Sequence, residues 1–326
     1  MQFSFSSDQH EFAAGLREML ERSFTASDLR AVWDAGTGHS PALWSRLAEM
    51  GALSMMVPES DGGLSGTMID TILLVEELGR AGVPGPAFET MTVGAIALRG
   101  TPFAAGIADG STLVTVALLG ESYVAHVDVA TAVVLGSSAG VRLFTPPELS
   151  TTPVEGIDGG RNLFAVSARA DGSVLDADHA ELVDTGAVAA AAYLLGLSAR
   201  MLAIAGDYAR DRRQFGQPIG SFQAVKHLMA DALLKVEFAR PAVYRAAWSC
   251  ATGADTRGRD ASMAKALASD AAQKAARSAL QVHGAIGYTW ECDLQLFMKK
   301  AWALIPAWGS ASFHRRRVAD AVLGPR

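Results

Sequence analysis

Cysteine is scarce in this chain of 326 residues, which has only Cys250 and Cys292. The chain also opens without a basic segment followed by an apolar one, so we expect a cytosolic protein. Basic residues are too few to offset the acidic ones, and the formal net charge of -6 argues against nucleic-acid binding. Long apolar runs are missing as well. Because Gly, Asp or Arg interrupts each run before about 18 residues, we expect no membrane span.

Hydrophobic residues, by contrast, make up half of the chain, enough for a large core and for two or three packed units of one enzyme protomer. The first 110 residues carry apolar side chains at helical spacing. Ser7 is suited to cap one helix, Ser40 precedes another, and a third is expected over residues 67–78 with Gly79 ending it. The sequence therefore predicts an N-terminal α-helical domain over residues 1–110.

The middle of the chain, residues 111–178, changes to short apolar runs of β type separated by turns. These runs lie at 113–119, 123–127, 131–135, 141–144 and 163–167. Residues 179–326 return to helical spacing, with long helices expected at 187–211, 221–252, 259–284 and 290–302. The predicted fold class is α+β, with an N-terminal helical domain, a small middle β-domain and a C-terminal four-helix bundle.

The end of the first long C-terminal helix combines a guanidinium, an aromatic ring and a carboxamide at fixed spacing. Arg212 is suited to meet a diphosphate, Phe215 to lie against a ring system, and Gln223 to hydrogen-bond a phosphate or ribityl oxygen. An ordinary exposed connection between two helices has the same kind of sequence. The block alone therefore leaves a flavin-binding turn and a plain turn both open.

A second block runs from Gln281 to Glu291 and is followed by 296–301. Together with the first block and the segments 43–53, 57–66 and 73–81, it resembles the acyl-CoA dehydrogenases. The resemblance implies FAD as cofactor, an acyl-CoA thioester as substrate, and an electron-transfer flavoprotein or similar electron acceptor; it implies no metal. It assigns cofactor binding to eight residues: Arg212, Gln214, Phe215, Gln223, Gln281, Gly284, Ala285 and Ser310.

The same resemblance implies a carboxylate that removes the α-proton of the acyl-CoA. Members of the family carry this base at one of two positions, and here Trp308 stands at one and Gly186 at the other. Asp184, two residues away, is the remaining candidate, although Asp184-Thr185 is also typical of a helix start. Turns at 120–122 and 136–140 stand where the family has loops that contact the flavin ring. Lys299-Lys300 replaces the usual Arg-Asp pair, so local ion pairing must differ.

A chain that keeps both cofactor blocks but lacks the base resembles the short subunit of heteromeric acyl-CoA dehydrogenases from actinobacterial steroid degradation. The resemblance implies an α2β2 heterotetramer with a full-length paralogue, flavin sites shared between subunits, and a steroid-derived acyl-CoA. Two alternatives stay open: a self-sufficient homo-oligomeric FAD-dependent enzyme with an unusual base, and a structural or regulatory relative that binds neither ligand. Apolar side chains of 221–284 are expected to be partly buried between subunits, namely Phe222, Leu228, Leu233, Val236, Phe238, Val243 and Trp248.

Overall fold

A computed structural model describes residues 4–137 and 140–324. Its N-terminal region is helical, with α1 Ser7–Ser23, α2 Ala26–Ala35, α3 Pro41–Glu49, α4 Met68–Ala81, α5 Ala87–Glu89, α6 Ala95–Ala97 and α7 Ala104–Asp109. Ser6, rather than Ser7, caps α1: its hydroxyl accepts from the Gln9 backbone N–H (3.2 Å) while the Gln9 side chain accepts from the Ser6 N–H (2.8 Å). The reciprocal pair satisfies two N–H groups at the helix start and so fixes the boundary.

Helix α4 continues past Gly79, which was expected to end it, and stops at Gly82 in the left-handed conformation. Gly79 lies where α4 crosses a later helix, and a Cβ there would overlap the Tyr193 carbonyl; Gly196 packs against Glu76 in the same way. The prediction that α4 ends at Gly79 was wrong. This glycine instead lets the backbones of two helices pack closely, which a larger residue would prevent.

The middle region forms two small sheets. The strands are β1 Val114–Ala117, β2 Val124–Ala125, β3 Ala132–Ser137, β4 Gly140–Phe144, β5 Leu149–Val154, β6 Leu163–Ala168 and β7 Ser173–Leu175. One sheet has the order β1-β3-β4-β7, with β1 and β3 parallel, and the other the order β2-β6-β5. The sequence missed β5, three of whose six residues are exposed, and β7, which has only three residues, two of them exposed. Residues 138–139, in the second of the two expected turns, lie outside the described residues.

The C-terminal region is helical again, with α8 His179–Asp211, α9 Gln223–Ala251, α10 Arg257–His283, α11 Leu294–Leu304 and α12 Ala311–Leu323. A two-stranded hairpin, β8 Arg213–Gln214 and β9 Gln217–Pro218, joins α8 to α9. The predicted class of helical, β and helical regions is confirmed, with α12 as a further helix. Among the described residues, α8 alone is long and apolar enough to cross a membrane, but 78% of its most apolar stretch is buried inside the protein.

The apolar face expected to meet another subunit divides between core and surface. Val236 and Val243 of α9 are fully buried in this chain's own core, so they do not belong to the part of this face that was expected between subunits. Leu233 and Phe238 are 50% and 72% exposed, and neighbouring Leu234 is 53% exposed. A row of large apolar side chains on the outer surface of one long helix is therefore open to a partner.

Candidate functional site

The first cofactor block lies at the exposed end of α8. Arg212 ends the helix, Gln214 belongs to the hairpin, and Phe215 stands at its tip with a left-handed φ of 53° and 93% of its surface exposed. Gln223 opens α9 and is exposed as well. The Arg212 guanidinium makes no hydrogen bond or ion pair with the residues that the structure describes. A guanidinium without such partners can form charge-assisted hydrogen bonds with an anionic ligand.

The second block lies at the same end of the helical region. Gln281 is exposed on the last turn of α10, and Gly284 ends that helix with φ 65°, leading into a short 3-10 turn that contains Ala285. His283 stacks on Tyr208 of α8, with ring centroids 4.3 Å apart. That contact places the two blocks at the same end of the C-terminal helical region.

These two blocks suit the diphosphate and adenosine parts of FAD. An unpartnered guanidinium provides the charge-assisted donors that a diphosphate requires, and exposed carboxamides provide neutral donors and acceptors beside it. Ser310 lies apart in sequence, capping α12 with a hydroxyl that accepts from the Phe313 N–H at 3.2 Å. The donor set present at the helix ends therefore fits the group.

Trp308 and Gly186, the two residues at which the family resemblance led us to expect a catalytic carboxylate, are in direct contact. Trp308 is 5% exposed and lies against Gly186 of α8, so closely that a Cβ on Gly186 would overlap the six-membered ring of the indole. An indole has no group that can accept the α-proton of an acyl thioester. The Trp308 ring therefore fills the space beside Gly186, and neither residue supplies a carboxylate there.

The turn that carries Trp308 is held from inside the helical region. Trp308 and Gly309 have positive φ values of 57° and 90°, and the first is unusual for a bulky residue. Lys265, fully buried on α10, donates to the carbonyls of Ile305 (2.8 Å) and Gly309 (3.2 Å). Burial lowers the pKa of this ammonium to about 7. Its hydrogen bonds fix the backbone on both sides of the indole.

His314 of α12 supports the same turn. Its Nε2 donates to the Trp308 carbonyl at 2.7 Å, and its Nδ1 lies 3.2 Å from the Ser262 hydroxyl. Because a carbonyl can only accept, Nε2 carries the proton and Nδ1 accepts from the serine. Burial lowers the pKa of His314 to about 4, so the ring is neutral around pH 7 and acts as a fixed brace.

Asp184, the remaining candidate base, is engaged by two arginines. Arg257 Nε donates to its Oδ2 at 3.2 Å and Arg317 Nη2 to its Oδ1 at 2.8 Å, and the carboxylate is 3% exposed. Asp184 lies in the second turn of α8, because Asp178 caps that helix by accepting from the Ala180 N–H. The expected helix start at Asp184-Thr185 was therefore wrong, and the carboxylate holds helices together.

A cavity of about 320 Å³ opens beside Trp308, between the β-sheets and the loop before α12. Its wall includes the carboxyl of Glu89 and the guanidinium of Arg161, neither of which the sequence pattern singled out. Glu89 is 5% exposed, and its Oε2 has no hydrogen-bond partner among the described residues. Burial raises the pKa of Glu89 to about 7. An acidic residue inside the apolar segment 87–98 was the available sequence signal.

Lys299 and Lys300 show how the ion pairing differs from the family pattern. The Lys300 ammonium lies 3.1 Å from the Asp158 carboxylate, and both side chains are buried. Lys299 donates to the Gln295 side chain at 2.9 Å and lies 4.7 Å from the Trp290 ring centroid. The expected change is thus realised as one buried ion pair and one cation–π contact.

Comparison with known proteins gives the family. The N-terminal domain of acyl-CoA dehydrogenases matches residues 6–103 and the C-terminal domain matches residues 180–323. Acyl-CoA dehydrogenase IpdE2 of Mycolicibacterium smegmatis is 36% identical over 288 residues, covering 87% of this chain and 88% of IpdE2. FadE34 of Mycobacterium tuberculosis is 33% identical over 300 residues, covering 85% of this chain and 41% of FadE34.

Solved structures agree with the sequence relatives. A variant of the Tcur3481-Tcur3483 steroid ACAD has a TM-score of 0.88 and 26% identity, covering 97% of this chain and 98% of its own. The ChsE4-ChsE5 complex from Mycobacterium tuberculosis has a TM-score of 0.89 over all of both chains at 23% identity, which shows the fold. Both domains of the family, a relative of similar length and the shared fold lead to one conclusion: this chain belongs to the acyl-CoA dehydrogenase family.

Proposed function

We propose that this chain is a flavin-supporting subunit, without a catalytic base, of a heteromeric enzyme for α,β-dehydrogenation of an acyl-CoA thioester. The observation that carries the proposal is the contact of Trp308 with Gly186, which leaves neither family base position with a carboxylate. The relatives support it: IpdE2 is similar over most of both chains, and two structural relatives are described as paired proteins, one of them a steroid ACAD. A steroid-derived acyl-CoA is the substrate we propose.

In this proposal the chain's own residues bind and position. Arg212 and Gln281 would hold the diphosphate and adenosine parts of FAD at an interface between subunits, with Gln214, Phe215, Gln223, Gly284, Ala285 and Ser310 completing the contact. FAD supplies a hydride acceptor when bound. The carboxylate that takes the α-proton would come from a full-length paralogue in an α2β2 assembly, and an electron-transfer flavoprotein or similar acceptor would reoxidise the complex.

Two observations support the proposed location and assembly. Cys250 and Cys292 are free thiols in the structure, which supports a cytosolic enzyme. Leu233, Leu234 and Phe238 form the exposed apolar row on α9, which supports burial of this helix against the paralogue.

A second candidate function is a self-sufficient homo-oligomeric dehydrogenase. Asp184 is poorly suited to serve it, since both carboxylate oxygens already accept from guanidinium groups. Glu89 is the observation that favours it, because a buried carboxyl with a pKa of about 7 borders the same cavity as Trp308. This alternative predicts turnover by the single chain that Glu89→Gln abolishes.

Co-expression with a full-length, base-containing paralogue tests the proposal. We expect the chain alone to be inert in ferricenium reduction with a panel of acyl-CoA thioesters, and the complex to be active and larger than a dimer by light scattering. Its flavin absorbance should correspond to about half the flavin of a homotetramer. A stable homotetramer of this chain with one flavin per subunit would refute the proposal, and a colourless, inactive complex would favour a structural relative.

The matched variants test the cofactor site itself. Arg212→Ala should weaken FAD binding by the complex by about 2–5 kcal/mol, since a phosphate held by charge-assisted hydrogen bonds loses its cation. Arg210→Ala is the control, because Arg210 is exposed two residues earlier and pairs with Asp207. Equal flavin content in both variants would reject the assignment of Arg212.

A further inference from the structure

The cavity beside Trp308 has a composition that dehydrogenation does not require. Its walls are mainly apolar and include three charged residues. Arg161 and Glu89 are two of them, and the Glu89 Oε2 has no hydrogen-bond partner among the described residues. The third, Glu121, is exposed, and its carboxylate accepts from the Leu119 N–H at 2.8 Å. We propose that this cavity binds a small apolar monocarboxylate, whose carboxylate pairs with Arg161 and accepts a hydrogen bond from the Glu89 carboxyl. The inference rests on the proposed function in one respect, since a chain without a base leaves this cavity free for a ligand other than the reacting thioester.

Arg161 provides the charge. Its guanidinium borders the cavity and makes no ion pair or side-chain hydrogen bond with the residues that the structure describes, while the nearby Lys300 ammonium already pairs with Asp158. A half-buried guanidinium in an apolar enclosure favours an anion with two parallel acceptors. A carboxylate has that shape and a single charge.

Glu89 provides the second contact. The Thr90 hydroxyl donates to the Val114 carbonyl at 3.1 Å and accepts from the Val114 N–H at 2.9 Å, which fixes this segment against β1. A π-helical turn, Thr90–Gly94, follows Glu89 directly, a feature frequent at functional sites. The Glu89 side chain, with its buried and unpartnered Oε2, is thus held beside the cavity by the backbone that follows it.

The groups around Glu89 favour its protonated form near neutral pH. Desolvation raises its pKa to about 7, although a backbone hydrogen bond and the two cations Arg161 and Lys300 oppose this rise. The inner side of Glu89 also faces Asp158, His126, whose pKa burial lowers well below its usual value, and Tyr193, which donates to the Val83 carbonyl. The polar residues on the cavity side are Thr115, Glu121, Ser122 and Tyr123. A protonated carboxyl can donate to a ligand carboxylate, whereas an ionised one repels it.

The rest of the enclosure limits the ligand. Leu163, Ala307 and the Trp308 indole supply apolar wall, and the volume of about 320 Å³ lies at the small end of ligand cavities. A single ring or short branched chain bearing one carboxylate fits these limits.

Calorimetric titration of the full-length chain with cyclohexanecarboxylate, and with cyclohexanecarboxamide as a neutral probe of the same shape, tests the proposal. We expect the carboxylate to bind at least about tenfold more tightly than the amide, in line with a charge-assisted pair. Arg161→Met should remove this preference. Arg169→Met is the matched control, because Arg169 is exposed on the same β-region and its guanidinium lies near Ser150.

The pH dependence gives an independent readout. The affinity of the unaltered chain should fall by about tenfold or more between pH 6.5 and 8.5, as Glu89 loses its proton. Glu89→Gln keeps an N–H donor at every pH, so its affinity should stay level over that range. Circular dichroism of each variant establishes that it is folded, and Arg161→Lys, which keeps the charge, should retain part of the preference.

Three results would overturn the inference: no heat of binding with millimolar carboxylate, equal affinity for acid and amide, or an Arg161→Met variant that binds like Arg169→Met. These titrations use neither flavin nor turnover. Their failure would leave the proposed subunit role standing, and an active single chain would reject that role without touching the binding result.

Discussion

Two regions of this chain differ in exposure, polarity and packing. One is formed by the helix ends that carry Arg212 and Gln281, and the other is the interior site at Trp308. The former are exposed and polar, and the Arg212 guanidinium there makes no hydrogen bond or ion pair with any described residue. The latter is closed by an indole packed on a glycine and braced by a buried lysine and histidine. The comparison teaches that the region proposed to bind the cofactor is left open to solvent, whereas the region where the family resemblance led us to expect a catalytic base is packed as core.

The largest effect should come from Trp308→Ala. Removing a 5% exposed indole leaves a cavity in contact with α8, and we expect the free energy of unfolding to fall by about 3–5 kcal/mol. Urea unfolding measures it. Trp290→Ala is the control, because that ring is 63% exposed. Equal losses in both variants would mean that Trp308 is not part of the core.

Lys265 should make stability depend on pH. Its pKa is lowered from 10.5 to about 7 in the folded chain, so between those values the unfolded chain binds more protons and the free energy of unfolding rises with pH. The contribution is at most about 1.4 kcal/mol per pH unit in that window. The pH slope of the unaltered chain minus that of Lys265→Met isolates it; identical slopes would show that the buried ammonium titrates normally.

Gly186→Ala should cost about 1–3 kcal/mol, because the new methyl group overlaps the Trp308 ring. Gly206→Ala in the same helix meets only the Arg210 side chain at 3.8 Å, and should be neutral or stabilising. In a Trp308→Ala background the cost of Gly186→Ala should disappear. Additive losses in this double-mutant cycle would deny the contact.

The smallest effect on stability belongs to the exposed end. Arg212→Ala should change the free energy of unfolding by less than about 0.5 kcal/mol, since its side chain makes no hydrogen bond or ion pair within the described chain. The same substitution should reduce flavin content in the complex. A large loss of stability would make Arg212 a structural residue and remove the contrast between the two regions.

The sequence predicted those features that depend on local spacing. The long C-terminal helices follow from apolar periodicity, and both motif blocks are contiguous in the chain. Two strands escaped prediction because β5 contains Pro153 and has apolar aliphatic side chains only at its two ends, and because β7 has only three residues. Gly79 was misjudged because a glycine at a helix crossing and a glycine at a helix end look alike in one sequence.

The candidate site depends on contacts between distant segments, which spacing does not reveal. Trp308 and Gly186 were identified separately, and only the fold shows that one ring occupies both places. Glu89 gave no signal beyond an acid in an apolar segment, since its raised pKa arises from tertiary burial. Asp184 likewise acquires its two arginines from α10 and α12.

The crossing of α4 over α8 at Gly79 and Gly196 determines which parts of the protein unfold together. Two helices whose backbones touch share a single core, and residues 189–195 of α8 are buried in it. Removing the N-terminal third would expose that apolar surface to water, so a truncated C-terminal fragment should aggregate. The N-terminal and C-terminal helical regions should therefore melt together as one cooperative unit, although the family divides them into separate domains.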